Sequence, residues 1–200
     1  MADPQQSDSW KTVIDARRAN PTDPKIGEIV VQQLQERGAP DAALNNAKKL
    51  LNNKSVAIAT GQQAGLFGGP LFTILKALTV IKLAHQVSTD NDIPVVPVFW
   101  IDAEDHDLTE ISSCQFLDTD MNLSTVTLPL DGQSGTTAGA IKLDTSISEV
   151  LDQLTAGLQP TEFTAEIQKA LRAAYAPGTR LVEAFARWLD TLLGKYGLVT

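Results

Sequence analysis

Cysteine is nearly absent from this 200-residue chain. Cys114 stands alone, so no internal disulfide can form and a secreted, disulfide-stapled scaffold is excluded. Basic residues are outnumbered, 16 against 24 acidic ones, and the net charge of −8 argues against a nucleic-acid or anionic-membrane partner, since both require a basic footprint. Long apolar runs are missing as well. The longest, IPVVPVFWI at 93–101, is far too short to span a bilayer. The amino terminus, MADPQQSDSWK, has no apolar segment of the kind a secretory signal needs. What is present is ordinary: 43% hydrophobic and 20% charged residues exclude a disordered chain and describe a soluble, cytoplasmic globular protein. The length fits one large domain or one and a half, enough to hide roughly 70% of the unfolded surface without metal or disulfide staples.

The first fifty residues read as helical. Asp23 followed by Pro24 is an N-cap with proline at the first helical position, and Ile26, Ile29, Val30 and Leu34 keep helical spacing until Gly38-Ala39-Pro40. A second helix starts near Asp41, with Leu44, Ala47, Leu50 and Leu51 on one face. The period then changes. SVAIATG, at 55–61, is short, apolar and β-branched, as a buried strand should be. A glycine-rich loop leads to Pro70 and an apolar helix over 71–87, whose polar stripe is Thr73, Lys76, Thr79, Lys82 and Gln86; it reads as a mostly buried helix covering a sheet. IPVVPVFWI follows as a strand covered on both faces. Strand, helix and strand make a βαβ unit of an α/β fold with a parallel sheet.

Beyond it, 112–118 and 123–128 read as short strands around the turn DTDMN, 131–139 as a loop, and AIKLD as a short strand. Ser146 and Glu149 suggest a capping box opening a helix that Gly157 ends. Helices over about 161–174 and through Trp188 follow, with Phe185, Trp188 and Leu189 as core; Trp100 also leans to core, and Cys114 reads as a small buried residue. His85 lies where a helix-end dipole explains it. Leu198-Val199-Thr200 reads as the opening of another buried strand, so the chain reads as truncated, the alternative being a short tail. Three regions result: a helical leader at 1–54, a core with both loops at 55–145, and a helical segment at 146–200 leading into that strand.

In open α/β sheets, ligands bind outside the carboxyl ends of the strands, and both candidate strands end in unusual loops. The first runs Gly61-Gln62-Gln63-Ala64-Gly65-Leu66-Phe67-Gly68-Gly69-Pro70. It is neither a P-loop nor a dinucleotide fingerprint. It reads either as a ligand loop, with amides at the following helix start favouring an anion, or as a tight, closely packed turn. The second runs Asp102-Ala103-Glu104-Asp105-His106-Asp107, with Glu110 beyond. Five acids and one histidine suit a divalent metal, or a substrate ammonium with His106 as acid–base group; the alternative is a solvated acidic loop. A di-metal hydrolase is weakened by the lone histidine. A non-catalytic ligand-binding module is the remaining alternative.

The runs ATGQQAGLFGGPLFTILKALTVIKLA and VPVFWIDAEDHDLTEI resemble the bacillithiol biosynthesis cysteine-adding enzymes, the BshC family. Two long motifs stand in order at the family's separation, and the likeness extends loosely to the run from Phe185 to Val199. It covers essentially the whole chain, but less than half of a typical family member. The resemblance implies a Rossmann-like core with helical connecting segments and a later coiled coil that mediates a homodimer. It also implies ligation of cysteine to glucosaminyl-malate. Gln62, Gln63, Gly65, Lys76, Glu104, Asp105, His106, Asp107 and Glu110 match motif positions. Asp102 departs from a smaller residue, Gly68 and Phe72 stand where threonine and tyrosine are common, and Ser112-Ser113 replaces Asn-His. The expected site is therefore His106, Asp105 and Asp107 as catalytic groups, with Gly61, Gln62, Gln63, Gly65, Gly68, Gly69, Lys76, Glu104 and Glu110 around the substrates. ATP or ADP and a divalent metal are the candidate cofactors, and neither is fixed by the residues.

Overall fold

Asp23 accepts a hydrogen bond from the Lys25 amide, and Pro24 follows it as the first residue of a helix, so local chemistry alone starts that helix where the sequence predicts. Gly38, left-handed at φ 70°, ends it. The computed structural model describes residues 7–20, 23–52, 54–130 and 135–200. Its helices are α1 (Ser7–Ala19), α2 (Pro24–Arg37), α3 (Asp41–Lys49), α4 (Leu71–Asn91), α5 (Leu108–Ile111), α6 (Ser146–Gly157), α7 (Thr164–Ala174) and α8 (Leu181–Leu193). Its strands are β1 (Val56–Gln63), β2 (Val95–Asp102), β3 (Ser113–Leu117) and β4 (Leu123–Thr127). The chain divides into two units that interleave in sequence. One comprises Met1–Thr60, Leu75–Trp100 and Asp190–Thr200; the other comprises Gly61–Ile74 and Ile101–Leu189.

β1 and β2 are hydrogen-bonded neighbours joined through α4, and residues 56–60, 75–91 and 95–100 of these elements belong to the first unit. Successive residues of a strand face opposite sides, and β2 uses both. Val96 packs with Leu34, Ala39, Ala43, Ala47 and Val199, whereas Val95 packs with Ile14, Ala84 and Val87. That double coverage explains the unbroken apolar run, each fully buried Val or Leu contributing about 1.5–3 kcal/mol. Val199 bridges Val98 in parallel, with Phe99 N donating to Val199 O at 2.7 Å and Val199 N to Pro97 O at 3.0 Å. A buried ion pair fixes this corner. Arg37 Nε lies 2.9 Å from Asp190 Oδ2, and the Thr200 hydroxyl donates to Asp190 while accepting from Arg37.

Two expectations for this unit change. β1 is not fully covered, with Ala57 and Ala59 exposed and its other residues half-buried, and it extends through Gln62 and Gln63. α4 is not mostly buried: Thr73, Ala77, Val80, Ala84 and Val87 form its one buried stripe, while Leu71 (75% exposed), Phe72, Leu75 and Leu78 are exposed. The residues facing the core are the small ones, which let the helix approach closely, and Thr73 belongs to them rather than to a solvent stripe. By length and composition α4 would also pass for a membrane-crossing helix, but Ala84 and Val87 sit in the core beside Val95. It runs on to Asn91, so His85 stands a turn and a half before the helix end and not in the last turn.

In the second unit β3 and β4 form an antiparallel hairpin, from Ser113 opposite Thr127 to Leu117 opposite Leu123. The Asp118 carboxylate accepts from the Asp120 and Asn122 amides and closes the turn. Gly157 lets α6 meet the hairpin, since a Cβ there would lie 2.7 Å from the Phe116 ring. The expected strand at AIKLD reduces to a single bridge between Lys142 and Arg180. The expected loop at 131–139 lies partly outside the described residues. The capping box at Ser146 is not formed. Asp144 takes that role, accepting from both the amide and the hydroxyl of Ser146, because its carboxylate is the stronger acceptor. Phe185, Trp188 and Leu189 are buried as the helical spacing predicts, and Cys114 is half-buried on β3 with its thiol pKa pushed up by burial.

Candidate functional site

The chain turns sharply after Gln63. Leu66–Gly68 form a single tight 3-10 turn, and Phe67, Gly68 and Gly69 have φ of 53°, 106° and 67°. Phe67 is the costly one of the three, since glycine adopts positive φ freely, and it is sustained here within a turn buried from Ala64 to Gly68. Gly65 has no room for a side chain: a Cβ would stand 2.6 Å from the Cα of Gly69. A Cβ on Gly68 would stand 2.9 Å from Trp188 Nε1. The amides of Gly65, Gly68 and Gly69 donate to Gln63 O, Gly65 O and Leu66 O. These three amides close the turn on itself, so they are not arrayed as a phosphate cradle.

The acidic loop is also ordered by its own groups. Asp102 accepts from the Glu104 amide, Asp105 from that of Asp107, and Asp107 from that of Glu110, where it caps the short α5. Its backbone is stitched to a distant segment: Gly139 N donates to Ala103 O and Ala138 N to Asp105 O, both at 2.8 Å. A Cβ on Gly139 would meet Ala103 O at 3.1 Å, and Arg180 Nη1 donates to Gly139 O at 3.0 Å.

Gln63 joins the two loops. Its Nε2 donates to Asp105 Oδ2 at 2.5 Å and to Glu110 Oε2 at 3.2 Å, while its Oε1 accepts from Gln62 Nε2 at 3.1 Å. The Asp107 amide first, and then the Gln63 amide, hold the Asp105 carboxyl below the ordinary carboxylate range. Two carboxylates sharing one neutral donor make a locally anionic position suited to an ammonium group.

Asp105 is half-buried; Glu104, His106, Asp107 and Glu110 are exposed around it; and Gly61 and Gln62 are half-buried at the end of β1. These residues, with Gly65, Gly68 and Gly69, all belong to the second unit, whereas Lys76 is half-buried on α4 in the first. Trp100 corrects the core expectation: it is 71% exposed. Among the described residues, no three His, Cys, Asp or Glu side chains gather closely enough to hold a metal ion. Asp102, Asp105 and Asp107 face backbone amides instead, and Asp105 and Glu110 share the Gln63 amide, an arrangement that does not suit a divalent metal. Sequence reasoning missed Tyr175, which bonds to the glycine turn, and it missed Gly139 and Arg180 behind the acidic loop. No local signal marks them.

A strand–helix–strand unit with specialised loops after both strands defines a Rossmann-like α/β protein. The chain belongs to the BshC family: the model described as "Bacillithiol biosynthesis BshC, N-terminal Rossmann-like domain" matches residues 1–200. Curated relatives named "Putative cysteine ligase BshC" are similar along most of the chain. The Salinibacter ruber protein is 35% identical over 179 residues, 87% of this chain and 32% of its own length. The protein of Oceanobacillus iheyensis is 34% identical over 166 residues, covering 81% of this chain and 30% of the relative. For Chlorobaculum tepidum the figures are 36% over 174 residues, 86% and 31%. The chain thus spans about a third of the length of the curated relatives it matches.

Proposed function

We propose that this chain is the amino-terminal part of a cysteine ligase that joins cysteine to glucosaminyl-malate. The observation that carries the reading is the Gln63 amide, which draws Asp105 and Glu110 together at the mouth of the glycine turn. Their negative charge, with that of Asp107, receives the cysteine ammonium. The sugar amine attacks the carboxyl carbon of an activated cysteine, the C–N bond forms as the activating group departs with its electron pair, and His106 accepts the proton the amine gives up. Glu104 and the loop residues Gly61, Gln62, Gly65, Gly68 and Gly69 shape the substrate wall. A metal-dependent hydrolase is the weaker reading, because Asp102, Asp105 and Asp107 are engaged as backbone caps and, among the described residues, no three such side chains gather.

The test has two arms. Calorimetric titration of this chain with cysteine should show saturable binding, abolished in an Asp105→Asn, Glu110→Gln double variant. Asp105→Ala or His106→Ala at the matching positions of a full-length BshC relative should lower thiol formation by at least about 100-fold. Wild-type turnover in both variants would overturn the roles assigned here.

A further inference from the structure

Tyr175 stands immediately after α7, 110 residues from the loop it touches, and is buried. Its hydroxyl donates to Gly65 O at 3.3 Å and accepts from Gly68 N at 3.2 Å. Its ring meets Phe67 edge-on, with centroids 5.1 Å apart and an interplanar angle of 70°. One side chain therefore contacts the turn on both sides of the left-handed Phe67: the Gly65 carbonyl before it, the Gly68 amide after it, and the Phe67 ring itself.

These bonds continue toward the acidic loop. Gly65 N donates to Gln63 O at 3.0 Å, and the Gln63 side chain donates to Asp105 and Glu110. A hydrogen-bonded chain runs Tyr175, Gly65, Gln63, Asp105, wholly inside the second unit. Burial pushes the phenol pKa far above its ordinary value, so Tyr175 stays protonated and remains a donor at every working pH.

We propose that Tyr175 is a positioning residue for the Gln63–Asp105–Glu110 cluster, its hydroxyl fixing the turn that aims Gln63 at the two carboxylates. The importance of this aim rests on the reading of that cluster as the cysteine site, but the geometry does not, and the two are separable by experiment.

Tyr175→Phe removes one oxygen and keeps the ring. By NMR, the Asp105 carboxyl of the wild-type chain should titrate below 3.8, and in Tyr175→Phe it should move up toward that value. Hydrogen-exchange protection of the Gly68 amide should fall on the order of tenfold. Leu154→Ala, which opens a cavity at a buried position of α6 with no hydrogen bond to the turn, controls for general destabilisation and should leave the Asp105 titration in place. An unchanged Asp105 titration in Tyr175→Phe overturns the proposal, as does an equal change in Leu154→Ala. Should Asp105 move as expected while cysteine shows no binding to the wild type, the ligase reading fails and the positioning role stands.

Discussion

Gln63 and Asp105 are 42 residues apart in sequence, and their side chains meet at 2.5 Å. The amide donates only to the ionised carboxylate with full strength, so replacing it removes one of the causes holding the Asp105 pKa down. In Gln63→Leu the Asp105 midpoint should rise toward 3.8, read by carboxyl NMR. The sign for stability follows from the depressed native pKa. The contribution is present above the unfolded value and is lost as pH falls through the native one. Wild type should therefore lose more stability than Gln63→Leu on acidification from about pH 4 downward. Asp118 and Asp144 are depressed in the same direction in both proteins, so the difference between the two reports Asp105.

The Arg37–Asp190 pair predicts a large loss on breaking one side only. Arg37 also donates to the carbonyl and hydroxyl of Thr200, and the pair's side chains are 12% and 5% exposed. Asp190→Ala leaves a guanidinium unpaired and shielded from water, which should cost about 3 kcal/mol in urea unfolding. Thr200→Val removes only a neutral hydroxyl and should cost about 1 kcal/mol. Equal losses in the two variants would contradict the arrangement.

Two glycines with positive φ predict different penalties for the same substitution. Gly38 has φ 70° and open space around it, so Gly38→Ala should cost about 1 kcal/mol of left-handed strain. Gly68 has φ 106° and Trp188 Nε1 at 2.9 Å from a Cβ, so Gly68→Ala adds a clash and should cost at least about 3 kcal/mol. Trp188→Phe, which clears that atom, should recover part of the Gly68→Ala loss in a double-mutant cycle.

Much of the fold is legible where chemistry is local. Asp23, Pro24 and Gly38 bound α2 because a cap, a fixed φ and a left-handed residue act within a few positions of themselves. The change from helical period to short apolar runs exposes β1 and β2, and the odd composition of the loops after them points to the candidate site. Less is legible where neighbours compete. Ser146 had the right spacing for a cap, but Asp144, two residues earlier, binds the same groups more strongly. Trp100 is apolar and follows a buried strand residue, yet nothing in one dimension tells that it is 71% exposed while Val96, on the same face of β2, is buried.

The sequence by itself determined the strand–helix–strand unit, the glycine turn and the acidic loop, because periodicity, turn residues and charge density are properties of contiguous residues. Only the tertiary structure decided that Gln63 grips Asp105 and Glu110, that Tyr175 holds the glycine turn from 110 positions away, and that the exposed face of α4 carries its largest side chains. The reason is physical. A hydrogen bond or a close packing contact depends on distance in space, and pairs so far apart along the chain are brought within reach only when the core has closed.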